Sequence, residues 1–159
     1  MAAVDYFLKL DGIEGESVDK SHKGWIEISS FSWGLSQESA GGHGGGGGTG
    51  KVSVQDFHFV ANTGIQSPPL LVATGTGQHF KKAVLSVREA ALKSEHIKIE
   101  LADVLVSSYQ IGGNEGSEPI DQFSLNFAKI EMAVRAQTVD GGQGAVVTGG
   151  WDVAANKKI

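Results

Sequence analysis

Residues 31–59 read FSWGLSQESAGGHGGGGGTGKVSVQDFHF, in which two patterned segments surround a glycine-rich spacer. Before the spacer, Phe31, Trp33 and Leu35 alternate with serine and glycine, which is the period of two typical of a strand with one apolar face. After the spacer, apolar residues alternate again, with a slip in phase at 55–56 that predicts a β-bulge. The stretch therefore predicts a strand, a long loop and a second strand.

The spacer resembles a phosphate-binding loop at first sight, because eight of the ten residues at 41–50 are glycine and 45–51 read GGGGTGK. A P-loop continues with a Ser or Thr that binds magnesium and then opens a helix. Here Val52 occupies the hydroxyl position and a strand pattern follows, so nucleotide binding is not expected. Ordering so many glycines costs considerable entropy. We therefore expect the loop to become ordered against something outside the monomer.

The length and charge of the chain limit what it can be. Its 159 residues fit a single domain, 1–159, and its formal charge of −5 with dispersed lysines and arginines argues against a nucleic-acid partner. Its apolar runs fall short of the roughly 18 residues that a membrane span needs. Asp5 and Lys9 interrupt the start, where a signal peptide needs a continuous apolar core. We expect a protein that is made in the cytoplasm and binds neither nucleic acid nor membrane.

One short helix is predicted. Ser67 is a suitable N-cap, Pro68 fits the first helical position, and Gly75 is a stop signal, so 70–74 would form the body of the helix. Residues 80–95 are ambiguous, because their composition favours a helix while their first half alternates like a strand. The other patterned segments alternate, which gives seven to ten strands. The sequence thus predicts a mainly β fold, an antiparallel barrel or sandwich with a helix against it.

No residue constellation points to catalysis or to a metal. The acidic run at 11–19 lacks the ligand spacing of an EF-hand and is interpreted as a solvated turn. Without cysteine there is no thiol nucleophile, and no GxSxG motif is present. The histidines are scattered at spacings that metal sites do not use: His22, His43, His58, His79 and His96. We expect no catalytic residue, no metal and no cofactor.

Two tryptophans have different predicted environments. Trp33 should be interior, because it alternates in phase with Phe31 and Leu35. Trp25 lies on the polar side of its strand, and an exposed aromatic residue there would mark an interface or a sugar-binding platform.

Several blocks of the sequence, in order, resemble the Hcp family, the haemolysin-coregulated proteins of bacterial type VI secretion systems. The blocks are VDYFLKLDGIEGES at 4–17, SFSWGLSQ at 30–37, GKVSVQDF at 50–57, DVLVSSY at 103–109, FSLNFAKIEM at 123–132 and GGWDVAANK at 149–157. The likeness covers nearly the whole chain and includes the glycine loop. It fits less well at 91–95, where the family commonly has a glycine-containing turn.

The resemblance implies a small antiparallel β-barrel of two sheets with one short helix on its side, and six copies that close into a ring. Rings would stack into the tube of a contractile injection machine, inside a sheath and below a VgrG spike, with small effector proteins in the lumen. It also implies that the ambiguous segment from Phe80 to Ala90 is a strand. Such a tube is secreted, to the extracellular medium or into a target cell, without a cleaved signal peptide.

The resemblance also suggests roles for residues in the stretch at 31–59. A ring-stacking loop is predicted from Gly41, Gly42, His43, Gly44, Gly45, Gly46, Gly47, Gly48, Thr49 and Gly50. Ser32 is predicted to lie on the channel wall, since it alternates with Phe31 and Trp33. Two other functions stay open: a monomeric β-barrel module that binds carbohydrate around Trp25, and a hydrolase that uses His58 or His79 with a nearby acid.

Overall fold

The computed structural model describes residues 3–37, 51–91, 94–137 and 143–159, so the predicted ring-stacking loop lies outside the described residues. In these ranges the chain forms eleven strands and one helix, α1 Ser67–Thr76. The strands are β1 Val4–Leu10, β2 Ile26–Ile28, β3 Ser30–Ser32, β4 Leu35–Gln37, β5 Val52–Val54, β6 Phe57–Asn62, β7 His79–Glu89, β8 Ser94–Gly112, β9 Ile120–Gln137, β10 Gln143–Asp152 and β11 Lys157–Lys158.

The strands form one large antiparallel sheet and a small ribbon. The large sheet has the order β11-β10-β9-β8-β7-β1-β2, and β9 also pairs with β6, which in turn pairs with β3. Strands β4 and β5 pair only with each other in the described ranges and form the ribbon. The mainly β fold with one short helix is therefore confirmed.

The large sheet curves so that β2, at one end of the strand order, approaches the branch formed by β6 and β3. The two meet at Ser29, between β2 and β3. The Ser29 amide donates a hydrogen bond to the Val60 carbonyl in β6 at 2.7 Å. Strand β2 pairs with β1, and β3 pairs with β6, but no ladder joins β2 to β6 in the described residues. The barrel that the resemblance implied is thus not a closed one.

In three neighbouring strands, the alternation of core-facing residues shifts by one position at the same level of the sheet. Asp103 in β8 does not pair with Lys81 in β7 or with Ala128 in β9. The register of the pairs is nevertheless the same before and after these positions. We call this feature the shared step. Asp103 has a φ of 56°, in the left-handed region that few residues other than glycine adopt. The core-facing residues flanking the step are Phe80 and Ala83, Leu101 and Val104, and Phe127 and Ile130.

The core is one contiguous cluster of aliphatic and aromatic side chains that both halves of the curved sheet share. The Phe59 ring lies 4.9 Å from that of Phe57 and 5.4 Å from that of Phe123, in stacked arrangements. Phe59 is fully buried, so its truncation to alanine would cost about 3–5 kcal/mol. Helix α1 covers one side of this core with Leu70 and Ala73.

Helix α1 is longer than the sequence predicts. Gln66, not Ser67, is its N-cap, and Gly75 lies inside the helix. The helix ends at Gly77, which has a φ of 69° and donates its amide to the Ala73 carbonyl. The predicted stop at Gly75 is therefore wrong: either glycine can take the left-handed C-cap conformation, and local sequence does not show which one does.

Two further predictions about strands are resolved. The ambiguous segment after Phe80 is strand β7, as the resemblance implied. The slip at 55–56 is not a bulge within one strand: β5 belongs to the ribbon, whereas β6 pairs with β3 and β9. The slip marks the point at which the chain leaves the ribbon and enters the large sheet.

Candidate functional site

Ser32 lies on a face of the large sheet that carries almost only neutral polar side chains. The register of β3, β6, β9 and β8 places Ser32 in one row with His58, Ser124 and Ser108, directed away from the core. We call this surface the polar face. It consists of Ser30, Ser32, His58, Val60, Ser108, Gln110, Gln122, Ser124 and Asn126. None of these residues is an aspartate, glutamate, lysine or arginine; at Asn126 the face is bordered by Leu105 and by the exposed carboxylate of Asp56.

Hydroxyl and amide groups in the middle of the polar face bind one another. A bulge between Val106 and Ser108 places both Ser107 and Ser108 opposite Ser124, and the hydroxyls of the two serines lie 2.8 Å and 2.5 Å from the Ser124 hydroxyl. Ser107 donates to Asp56 at 2.7 Å, and the Asn126 amide donates to the same carboxylate at 3.0 Å. Asp56 therefore holds the edge of a preorganised polar surface.

Ser32 is exposed, whereas Phe31 and Trp33 on either side of it are half-buried. Phe31 contacts Tyr6 edge-on at a centroid distance of 5.1 Å, and the Trp33 indole donates to the Gln55 carbonyl at 2.7 Å. Both aromatic rings therefore turn toward the protein and leave the hydroxyl of Ser32 outside. Trp33 is less buried than the sequence predicts, because it lies between β3 and β4, where the chain leaves the large sheet for the ribbon. Leu35, at the start of the ribbon, is 49% exposed.

A second surface is open and apolar. The ribbon and strands β9 and β10 enclose a groove of about 530 Å³. We call it the apolar shelf, and its lining includes Trp33, Leu35, Val52, Ile130, Met132, Val134, Val147, Gly149 and Trp151. Its outer part is exposed to solvent, since Val147 is 70% and Met132 is 37% exposed.

A buried cation lies beneath the connection between β1 and β2. Arg88 is 7% exposed, and its guanidinium donates to both carboxylate oxygens of Asp19 at 3.0 Å and 2.7 Å and to Asp5 at 3.3 Å. The guanidinium also lies 4.9 Å from the centre of the Phe7 ring. The Arg88 hydrogen bonds, and then one from His22, hold the pKa of Asp19 well below its usual range. The same pairing raises the pKa of Arg88.

The prediction that the acidic run at 11–19 is only a solvated turn is therefore wrong for Asp19. Residues Ser86 and Arg88 are on the face of β7 that points away from the core, and the connection carrying Asp19 and His22 packs over that face. Sequence reasoning missed this layer because it requires long-range contacts. The available signal was the alternation of Ser86 and Arg88 with Leu85 and Val87, which places the two polar side chains on the face of the strand opposite the core.

Asp19, His22 and Ser86 form a series that looks like a hydrolase triad. Asp19 Oδ2 lies 2.9 Å from His22 Nδ1, and His22 Nε2 lies 3.0 Å from the Ser86 hydroxyl. Ser86, however, is 0% exposed, and its hydroxyl donates a hydrogen bond to Glu95 at 2.6 Å. The Ser86 hydroxyl is not accessible to a substrate. This series of hydrogen bonds therefore holds the segment between β1 and β2 against the sheet and does not form a catalytic site.

The residues named for the hydrolase alternative do not form such a series either. In the described part of the chain, neither His58 nor His79 hydrogen-bonds to a carboxylate. Among those same residues, no group of three or more histidines and acids is placed to bind a metal. None of the helices in the described ranges is long and apolar enough to cross a bilayer.

Asp121 is a fully buried carboxylate that attaches α1 to the sheet. It accepts hydrogen bonds from Tyr109 at 2.8 Å, from Thr63 at 3.0 Å and from the Ser67 hydroxyl. Burial, followed by the contact with Asp121, raises the pKa of Tyr109. The sequence contains a signal for this network that was not used, because Asp121 shares the phase of Phe123 in β9 and so must face inward.

Trp25, the candidate for a sugar platform, is half-buried and meets the His22 ring edge-on at 4.7 Å. His22 itself stacks on Phe7 at 4.3 Å. The indole is thus part of the packing over β1 and β7, which leaves less of the flat, open ring that a sugar platform needs.

Comparisons with known proteins all lead to one family. The family model described as "Type VI secretion system effector, Hcp" matches residues 7–134. Protein hcp1 of Pseudomonas aeruginosa is 39% identical over 158 residues, which cover 97% of this chain and 98% of that protein. The crystal structure of Hcp1 from Salmonella typhimurium is 34% identical with a TM-score of 0.84, and the match covers 100% of both chains. A structure described as a type six secretion system protein is 30% identical with a TM-score of 0.92, covering 99% of this chain and 100% of that one.

Proposed function

This chain belongs to the Hcp family of type VI secretion system proteins, and from this membership we propose that six copies close into a ring whose channel is lined by the polar face. The chain is a structural tube subunit of a bacterial type VI secretion system, and its family consists of secreted proteins. Stacked rings would form the inner tube. Residues 1–159 act as one domain, which the single contiguous core supports.

The neutral character of the polar face is the observation that supports its place in the channel. Hydroxyl and amide groups bind water well, and they attract neither acidic nor basic proteins strongly. A wall built from such groups would allow small effector proteins of either charge to enter and leave. The bulge at Ser107 and Ser108 and the contacts of Asp56 hold these groups in fixed positions.

The same proposal assigns the remaining partners and the route of the protein. The tube would move within a contractile sheath and carry a VgrG spike at its end. It would be made in the cytoplasm and leave without a cleaved signal peptide, and it would act as a carrier without catalysing a reaction. The burial of Ser86 supports this last point, because the most triad-like series in the described residues is closed to substrates.

Light scattering coupled to gel filtration, followed by negative-stain microscopy, tests the ring. We expect a particle with about six times the 16.6 kDa mass of the chain and a central hole. A monomer at high protein concentration would contradict the ring. That result would favour the other candidate, a monomeric carbohydrate-binding module, which sugar titration against tryptophan fluorescence would then test.

A further inference from the structure

The connection between β1 and β2 packs over the outer face of the large sheet, and we call its residues 11–24 the strap. The strap folds back on the start of β2, since the Ser17 amide donates a hydrogen bond to the Trp25 carbonyl at 3.1 Å. One of the side chains that hold it on the sheet is a buried imidazole, His22, whose ring stacks on the Phe7 ring at 4.3 Å. The hydrogen bonds of this imidazole therefore affect how firmly the strap is held.

Three consecutive contacts join the strap to strand β8 through that imidazole. Asp19 Oδ2 lies 2.9 Å from His22 Nδ1, and His22 Nε2 lies 3.0 Å from the Ser86 hydroxyl oxygen. The same Ser86 oxygen lies 2.6 Å from Glu95 Oε2. All three distances are those of hydrogen bonds, so each contact requires one proton between its two heavy atoms.

In their ordinary protonation states the groups of this series supply one proton too few. A neutral imidazole has one N–H, a serine hydroxyl has one O–H, and two ionised carboxylates have none. These two protons fill only two of the three contacts, and the third would bring two bare acceptor atoms together. The series is complete only when it binds one additional proton.

The additional proton does not belong to Asp19. Its Oδ2 already accepts a hydrogen bond from Arg88 at 3.0 Å, and the hydrogen bonds from Arg88, and then from His22, hold the pKa of Asp19 well below its usual range. The proton therefore belongs to the pair formed by His22 and Glu95, on either side of the Ser86 hydroxyl. An imidazolium or a carboxylic acid would each give every contact of the series a donor.

Charged side chains surround the series on every element that packs against it. They are Asp19, Lys20 and Lys23 in the strap, Asp5 and Lys9 in β1, Glu27 in β2, Arg88 in β7, and Glu95 and Lys98 in β8. The lysines of the strap and of β1 are exposed, and Lys98 is bound to Glu100 at 3.1 Å. Arg88 is the one buried lysine or arginine of the described chain, and it already binds two carboxylates. The negative charge left in the buried part stabilises an additional proton.

We propose that the strap is a proton-dependent latch, which the series through His22, Ser86 and Glu95 holds closed with one additional proton and loosens when that proton leaves. Without the proton, one contact loses its hydrogen bond and leaves an acceptor unpaired. When the strap opens, the imidazole and the carboxylate return to water, where both are largely unprotonated above about pH 7. Closing the strap then takes up one proton. The stabilisation is therefore present near pH 6.5 and is lost as the pH rises further.

Hydrogen exchange of the strap, followed by mass spectrometry between pH 7 and 8, tests the latch. After correction for the intrinsic effect of pH on exchange, the protection of residues 17–25 in the wild type should fall by about tenfold per pH unit, because opening releases one proton. In Glu95→Gln the protection should stay nearly constant, since the new amide donates to Ser86 at every pH. Glu115→Gln is the matched control, in the exposed turn between β8 and β9, and should behave like the wild type.

Ser86→Ala provides a second variant, because it removes the hydroxyl that links the imidazole to the carboxylate. It should abolish the pH dependence and leave less protection at pH 7 than in the wild type. Wild-type protection that does not change with pH, or the same tenfold fall in Glu95→Gln, would overturn the latch. The strap opens locally in a ring or in a monomer, so a monomeric chain would contradict the proposed function without changing the outcome expected here.

Discussion

At the scale of single residues, the buried positive charge of Arg88 is stabilised by two aspartates, Asp19 and Asp5. The guanidinium has lost nearly all of its water, and Asp19 and Asp5 replace that water with direct hydrogen bonds. Removing one partner from such a group leaves a desolvated charge behind, which costs more than the ion pair itself contributes. The stability of the fold should therefore depend on Asp19 more than on other acids of the same connection.

Asp19→Asn should lower the melting temperature at neutral pH by about 5 °C, because Arg88 keeps its charge and loses the closer of its two counter-ions, with only Asp5 left. Asp11→Asn is the control, since Asp11 is an exposed acid in the same connection and should change the melting temperature very little. Thermal unfolding followed by circular dichroism makes the comparison. Equal melting temperatures for both variants would show that the ion pair adds no stability.

The contribution of Asp19 should also depend on pH in a definite direction. Its pKa is lower in the folded protein than in the unfolded chain, so at acid pH the unfolded chain binds the proton more readily. The stabilisation is fully present above the unfolded pKa of about 3.9 and is lost as the pH falls toward the lower folded pKa. The difference in stability between the wild type and Asp19→Asn should therefore shrink below about pH 4. A difference that grows on acidification would contradict the assignment.

Ser32 permits a test of the channel wall. In a ring, Ser32→Arg would place six cations on the polar face, which has no lysine or arginine and only the Asp56 carboxylate at its edge. We expect rings of unchanged mass that retain less co-purified effector protein, measured by mass spectrometry of the ring fraction. Ser117→Arg, in the exposed turn between β8 and β9, is the control for the added charge alone. Loss of the ring in Ser32→Arg would instead place Ser32 at a subunit contact.

At the scale of elements, alternation predicted most strands but not their partners. The pattern at 31–59 indicated two strands, whereas the structure divides the stretch between the ribbon and the large sheet. Periodicity reports which face of a strand is buried and carries no information about which strand lies beside it. For β7 the local composition favoured a helix, and tertiary pairing with β1 and β8 overrode it.

The candidate sites were predictable to different degrees. Exposure of Ser32 followed from its alternation with Phe31 and Trp33. The rest of the polar face requires the register of four strands, which no local pattern contains. The apolar shelf was hidden for a related reason: Val134 and Val147 resemble ordinary core residues in the sequence, and only the assembled sheet shows that nothing in the described residues covers Val147.

Deletion of residues 44–48 tests the predicted ring-stacking loop. We expect rings of normal mass that no longer stack into tubes under conditions in which the wild-type rings do, as seen by negative-stain microscopy. A variant that keeps the length of the loop, with serine at alternate positions among residues 44–48, should still form tubes if reach is what matters. Tubes in the deletion variant would identify the segment as a spacer.

At the scale of the whole molecule, assembly and stability should be linked. If six copies close into the proposed ring, each contact between subunits adds to the stability of the folded state by mass action. The melting temperature of the wild type should then rise with protein concentration. Differential scanning calorimetry over a hundredfold range of concentration measures this dependence. A concentration-independent wild type would indicate that the contacts contribute nothing to folding.

The shared step restricts how the length of this chain can change during evolution or engineering. Deleting Asp103 alone would shift β8 by one residue against both β7 and β9 on one side of the step, and the misaligned side would turn its apolar residues outward. Only the joint loss of Lys81, Asp103 and Ala128 would keep both the alignment and the inward face. These three positions, far apart in the sequence, behave as a single unit for insertions and deletions.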